Sequence, residues 1–374
     1  MQAGLVAFLG SFLVCAALAA VQGILRSSMD HVASGPQKLH ANPVPRIGGT
    51  AVLAGIVGGA IWPGLEHESG WIMTLVLAAL PAFLGGIFED LTKGFPEAAR
   101  LGTAFCAAAI GFFVLDARVS GLNIWGADQL LGFGAASYLF TVFAVGGFSH
   151  ALNIVDGLNG LSAFTAWLML AALTVVATAV SDPIVAQTSL IIGASILGFL
   201  VWNYPRGTIF LGDGGAYLVG FLVAELAVLL VHRNSLVSPW FALLLLFYPV
   251  WETLFSSYRR RVLRGRPAAS ADGLHLHTLV YKRLVRWKVG SRSVRDRRAR
   301  NALATPYLVV LTSATVAPAA FFWNNTLVLE LFALAFALLY VTLYWRIVRF
   351  RAPRRLILRQ PTKSRDTAGQ PAKG

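Results

Sequence analysis

The chain has 374 residues, 56% hydrophobic and only 13% charged, with a mean hydropathy of +0.66. A soluble protein of this size carries roughly 25% charged residues, so much of this surface has to face lipid. A net charge of +14 would suit a nucleic-acid binder, but the basic residues lie beside apolar segments rather than on one folded face, which excludes that partner. Cys15 and Cys106 both sit in apolar stretches and indicate neither a disulfide framework nor a cysteine metal site.

A bilayer span needs about 20 mostly apolar residues. In chain order such stretches fall at 3–25, 47–65, 70–88, 101–116, 132–150, 161–181, 184–202, 214–231, 236–256, 305–322 and 326–345. That makes about eleven, with 101–116 the weakest and ten the alternative count. Arg26 follows the first stretch instead of preceding it, so that stretch reads as a retained helix and not a signal peptide. With the N-terminus outside, 29 of the 31 Lys and Arg fall in inner connections, fourteen of them in 257–304 and nine from Arg346 onward. Only Arg118 and Arg233 are left outside, and the positive-inside rule gives an N-out, C-in topology. Such basic loops also meet the anionic head groups of membrane lipids. The expectation is an all-α, polytopic membrane protein: one transmembrane domain over 1–350, in which 257–304 is a long basic cytoplasmic loop, and a basic, disordered tail over 351–374.

Five polar stretches interrupt the apolar pattern, at 38–49, 88–94, 153–160, 203–215 and 272–283, and all five map to the cytoplasmic side. Glu89 and Asp90 end the third span, where carboxylates oppose the helix macrodipole. Either Lys93 neutralises them, or they help hold a hard divalent ion such as Mg²⁺. Asp213, between Gly212 and Gly214-Gly215, either caps the eighth span or belongs to a turn whose backbone N–H groups approach a phosphate. Asn153, Asp156 and Asn159 are spaced by three, which a helical turn would put on one face; Gly157 and Gly160 suit a tight turn into the sixth span instead. His275 and His277 make a poor zinc set and fit better as donors to a phosphate, the bland alternative being two solvated loop histidines. Lys38, His40 and Arg46 precede Gly48-Gly49 on an entry loop that Pro43 and Pro45 make extended, and they serve equally as ordinary positive-inside flanks.

Taken together and in order, these stretches resemble the polyprenyl-phosphate N-acetylhexosamine-1-phosphate transferase family, from about Lys38 to Arg283. Its acidic pair, usually Asp-Asp, is Glu89-Asp90 here. Its Asn-x-x-Asp-Gly-x-Asp-Gly is Asn153, Asp156, Gly157, Asn159 and Gly160, and its Phe-x-Gly-Asp is Phe210, Gly212 and Asp213, with Asn203 ahead. Its His-x-His-His is His275, His277 and Thr278, and Lys38-Leu39-His40 looks like the Lys-x-His of the GlcNAc-1-phosphate branch. Glu89, Asn159 and Thr278 are the departures, and they bear on the sugar and the metal more than on the reaction class.

The resemblance implies that a UDP-sugar and a polyprenyl phosphate, typically undecaprenyl phosphate, give a polyprenyl diphosphate sugar and UMP in a bacterial inner membrane. It implies Mg²⁺, or Mn²⁺ in its place, on Asp213 with help from Asp90 or Glu89. Asp90 or Asp156 would assist deprotonation of the lipid phosphate. Asn153, Asp156, Asn203 and Phe210 would contact uridine or ribose, with Asn159 and Lys38 close by and His275 and His277 on the diphosphate. A homodimer is left open. The rival readings are a solute transporter, for which the mid-span Glu225 argues, and an inactive scaffold of the same fold.

Overall fold

The computed structural model describes residues 2–21, 29–30, 44–62, 66–263, 265, 273–285 and 294–350. Lys38, His40, Asp272 and the tail 351–374 lie outside the described residues.

The described chain is a bundle of helices: α1 (Gln2–Ala20), α2 (Gly48–Ala60), α3 (Glu66–Thr92), α4 (Glu97–Val114), α5 (Ala127–Leu131), α6 (Gly134–Val155) and α7 (Leu161–Ala179). There follow α8 (Pro183–Asn203), α9 (Gly212–Arg233), α10 (Pro239–Leu245), α11 (Phe247–Tyr258), α12 (Leu276–Leu279), α13 (Val294–Phe321) and α14 (Thr326–Val348). The one piece of β-structure described is an antiparallel pairing of β1 (Met29–Asp30) with β2 (Val44–Pro45), on the approach to α2.

Among the described residues nine helices are long and apolar enough to cross a membrane, or ten if α10 and α11 count as one span. The chain is therefore a multi-pass membrane protein. Two expectations need correction. The stretch 101–116, read as weakest, lies in the 18-residue α4 and qualifies, whereas 47–65 yields only the 13-residue α2. At 1.5 Å per residue α2 spans about 20 Å, short of a bilayer core of about 30 Å. The stretch 236–256, read as one span, is bent by 66° between α10 and α11. Pro249 has no N–H to give to the carbonyl one turn back, at Leu245, and its ring crowds that carbonyl.

At the centre runs α9, buried from Gly212 to Leu230, as expected of a helix apolar on every face. It packs against α2, α3, α4, α6 and α7. At its start the backbones nearly touch: a Cβ on Gly49 would lie 2.3 Å from the Cα of Gly215. The alternation of the helices brings the C-terminal ends of α3, α6 and α8 together with the N-terminal ends of α2, α4, α7 and α9. The described parts of all five polar stretches belong to this end. The opposite end carries Arg118 and Arg233, the two basic residues assigned outside, with Arg233 Nε 2.8 Å from Asp182 and His232 3.6 Å from Asp116.

Candidate functional site

The site grows from the junction of α3 and α9. Asp90, fully buried, faces the first turn of α9 and accepts hydrogen bonds from the backbone N–H groups of Asp213 (3.0 Å) and Gly214 (2.9 Å). That resolves the conflict seen in the sequence. The carboxylate opposes the macrodipole of its own helix but lies at the positive N-terminus of another. Glu89 turns the other way, accepting from Phe95 N–H at 2.7 Å, so it shapes the α3–α4 loop and makes no bond to Asp213.

Asp213 does not cap its helix; the N-cap is Leu211. Arg46 donates to Asp213 Oδ1, with its Nε 3.2 Å from Asp90 Oδ1, and Arg100 donates to Asp213 Oδ2. Two carboxylates and two guanidiniums thus meet where α2, α3, α4 and α9 begin or end. Backbone pairing fixes the approach: Phe210 N–H donates to Pro45 O, Gly48 N–H to Phe210 O and Gly49 N–H to Leu211 O, each at 2.9 Å. Phe210 is thereby held half-buried beside the pair.

The turn 156–160 is a turn and not a helical face. α6 ends at Val155, Asp156 follows with φ −72° and ψ 57°, and Gly160 adopts φ +77° before α7. The side chains of the spaced-by-three set therefore diverge. Asn153 bonds the Tyr217 hydroxyl, Asp156 accepts from Ser162 Oγ at 2.5 Å, and Asn159 donates to Pro205 O at 3.1 Å. Burial pushes the Asp156 carboxyl up to about 6, against the lowering pull of the Ser162 hydroxyl and the Arg46 charge. Asn203 is buried and accepts from Gly160 N–H (2.5 Å) while donating to Ile209 O (2.7 Å), so it ties the α6–α7 turn to the α8–α9 loop. Asn159 is fixed further by Asn301 and Thr305 of α13. Asn159 and Asn203 thus act here as braces of the two loops.

His275 and His277 are buried and stack in parallel, 5.4 Å apart. His275 Nδ1 lies 3.0 Å from Glu252 Oε1, which also accepts from Leu276 N–H at 3.2 Å, and Tyr340 donates to Glu252 Oε2 at 2.5 Å. Nε2 of His277 lies over Gly157, where a Cβ would come within 2.3 Å of it. The histidine loop is thus seated on the turn that carries Asp156.

Sequence reasoning passed over Arg100, His150, Tyr217 and Glu97, and left Glu252 without a role. His150 Nδ1 is 2.7 Å from the Tyr217 hydroxyl and its Nε2 is 3.3 Å from Glu97. An ionisable residue inside an apolar stretch was the available signal for His150 and Glu252. Arg100 looked like one more positive-inside flank.

The donor chemistry fits a hard divalent ion. Asp90 and Asp213 offer carboxylate oxygens, and among the described residues no group of three or more His, Cys, Asp and Glu is placed to hold a metal. Such an ion, held by one or two carboxylates, would complete its shell with water and substrate phosphate, as Mg²⁺ commonly does.

The comparisons with known proteins bear on the same helices. Residues 72–231 match the model of glycosyl transferase family 4, a segment that includes Asp90, Asp156 and Asp213. The chain is 27% identical over 245 residues to the probable undecaprenyl-phosphate N-acetylglucosaminyl 1-phosphate transferase of Bacillus subtilis, covering 64% of this chain and 66% of that one. It is 27% identical over 252 residues to the undecaprenyl-phosphate alpha-N-acetylglucosaminyl 1-phosphate transferase of Thermotoga maritima, covering 67% and 73%. To the phospho-N-acetylmuramoyl-pentapeptide-transferase of Lactiplantibacillus plantarum it is 29% identical over 210 residues, covering 51% and 63%. The matches thus span about two thirds of these relatives' own lengths. The segment similar to glycosyl transferase family 4 takes in all of α4 and most of α3 and α9, which carry Arg100, Asp90 and Asp213.

Proposed function

We propose that this protein transfers a sugar 1-phosphate, of the N-acetylhexosamine class, from a UDP-sugar to a polyprenyl phosphate. The site would face the cytoplasm of a bacterial inner membrane, and the product would start a cell-envelope polysaccharide. The observation that carries the reading is the apposition of Asp90 and Asp213 beneath two arginines, at the end of the bundle where the described parts of the polar stretches converge. The names of the relatives support the same acceptor and group.

In the reaction a phosphate oxygen of the lipid attacks the sugar-side phosphorus of the nucleotide sugar. The bond from that phosphorus to the UMP oxygen breaks, UMP leaves, and a polyprenyl diphosphate sugar remains. The anomeric carbon–oxygen bond is untouched, so configuration is retained, and one diphosphate replaces another, so the step is near thermoneutral. Such transfers depend on positioning and on spreading negative charge. Asp213 and Asp90 would hold the Mg²⁺, or Mn²⁺, that neutralises and orients the two phosphate groups. Arg46 and Arg100 add positive charge at the same point. Asp156, with its carboxyl near 6, is matched to the second ionisation of a phosphate monoester, also about 6, and takes the proton of the lipid phosphate. His275 and His277, positioned by Glu252, reach the diphosphate, while Asn153 and Phe210 border the nucleoside. Lys38 and His40 would join them from the entry loop.

The test is release of UMP by the purified protein offered polyprenyl phosphate, Mg²⁺ and a panel of UDP-sugars, beside Asp213→Asn and an EDTA control. Lipid-dependent UMP from one sugar, lost in both controls, supports the reading and names the donor. No UMP from any donor with a folded protein contradicts it. The transporter reading rests on Glu225 alone. That residue lies twelve positions along α9 from Asp213, about 18 Å away, against Gly111 of α4.

A further inference from the structure

Asp213 is held in an unusual way for a prospective metal ligand. Each of its two oxygens takes a guanidinium, and the two come from different elements: Arg46 at the entry to α2, Arg100 in the first turn of α4. Arg46 also reaches Asp90. The arginine side chains are 29% and 17% exposed, against 6% for Asp213 and 0% for Asp90, so the guanidiniums form the solvent-facing cover of the acid pair.

A divalent ion entering alone would have to displace a guanidinium from Asp213 and then sit beside two positive charges. A diphosphate changes that balance. Its oxygens suit the planar donor fork of arginine at least as well as a carboxylate does, and carry more charge. Once the arginines turn to phosphate, the oxygens of Asp213 are released to the ion. We propose that Arg46 and Arg100 form a phosphate-opened lock over Asp213, so that the divalent ion and the diphosphate of the nucleotide sugar enter with positive coupling. The proposal rests on the transferase reading and adds to it an order of assembly. Coupling of this kind is reciprocal: the ion tightens the nucleotide by the same factor as the nucleotide tightens the ion.

The test is Mn²⁺ binding by the full chain in detergent, followed by electron paramagnetic resonance, with and without UDP-N-acetylglucosamine, and with thermal unfolding to verify the fold. In the wild type the nucleotide sugar tightens Mn²⁺ at least about tenfold. In Arg100→Gln, Mn²⁺ alone binds about tenfold tighter than in wild type, and the nucleotide adds only about two- to threefold more. Both sites are then still occupied, but their coupling has shrunk. A static arginine would act differently: its removal would tighten Mn²⁺ equally with and without the nucleotide, and unchanged coupling overturns the lock. Arg100→Lys, which keeps the charge and loses the fork, gives a second reading if the glutamine variant fails to fold, and unchanged coupling there has the same meaning. A wild type whose Mn²⁺ affinity ignores the UDP-sugar from which it releases UMP overturns the lock alone, and only the absence of UMP from every donor overturns the transferase reading with it. A clear nucleotide effect with unchanged coupling overturns the lock alone.

Discussion

Replacing Gly212 by alanine tests whether the α9 start has to be where it is for the acid pair to work. Gly212 adopts φ +78°, and a Cβ there would lie 2.1 Å from the Arg46 carbonyl oxygen and 2.6 Å from Asp90 Oδ2. The left-handed backbone alone costs an L-residue about 1–2 kcal/mol. The contacts then force α9 or the Arg46 segment to shift, and the bonds at stake are those from Asp213 and Gly214 N–H to Asp90, at 3.0 and 2.9 Å. A hydrogen bond to a charged group is worth about 1.5–3 kcal/mol, so losing one with the strain comes to about 3–4 kcal/mol. Misplacing a positioned group by an ångström can cost about a hundredfold in rate. The expected outcome is a lower unfolding temperature in detergent and UMP release reduced about a hundredfold. Gly126→Ala is the control: Gly126 has φ +84° at the opposite end, nothing among the described residues lies within 4 Å of its added Cβ, and it bears the strain without the collision. Gly212→Ala that melts like wild type and releases UMP within about threefold of it would refute the reasoning.

Glu252→Gln puts an amide donor where His275, Leu276 N–H and Tyr340 all approach an acceptor, so thermal unfolding should report a loss of about 3 kcal/mol and UMP release should fall at least tenfold. Asp156 gives a pH signature: its carboxyl, raised from 3.8 to about 6, is protonated below that value, so activity drops as pH falls through about 6. In Asp156→Asn the rate is low at every pH, and the acid limb that remains is that of the lipid phosphate's own ionisation. The same raised value means the folded state binds the proton more tightly than the unfolded chain. Asp156 therefore costs stability as pH rises from about 4 to 6, and unfolding measured across that range should lose this slope in the asparagine variant. Glu225→Leu removes two buried oxygens that have no hydrogen-bond partner among the described residues; it should raise stability by about 1–2 kcal/mol and leave UMP release within about twofold. Loss of UMP release in that variant would bring Glu225 into the mechanism.

Apolar length and composition were enough to read the helical membrane architecture, because lipid demands whole apolar turns. They misjudged α2, whose apolar residues continue past the point where the helix stops at Ala60, and they missed the bend at Leu246 because Pro249 leaves composition unchanged. Asp90 and Asp213 stood out in the sequence because carboxylates at the ends of apolar helices are costly unless they are paired or wet. Their bonding was not legible. Nothing in the sequence says that Asp90 docks on the α9 N-terminus, 123 positions on, or that Arg46 and Arg100 meet at Asp213. Asn159 and Asn203 were placed near the nucleotide by the family resemblance alone, and the fold shows both amides bonded to neighbouring loops. Of the two readings open for Asn153 to Asn159, a helical face or a tight turn, the fold takes the turn: the helix ends at Val155 and Gly160 leads into the next one.

The most direct test of the central claim follows the phosphate. The purified protein would be given polyprenyl phosphate, Mg²⁺ and the donor UDP-sugar labelled on its sugar-side phosphorus. If a sugar 1-phosphate moves as a unit, the label appears in a lipid diphosphate together with the sugar, and UMP leaves unlabelled. Label released in UDP, with the sugar alone on the lipid phosphate, would contradict the account, because the bond broken would then be the one at the anomeric carbon.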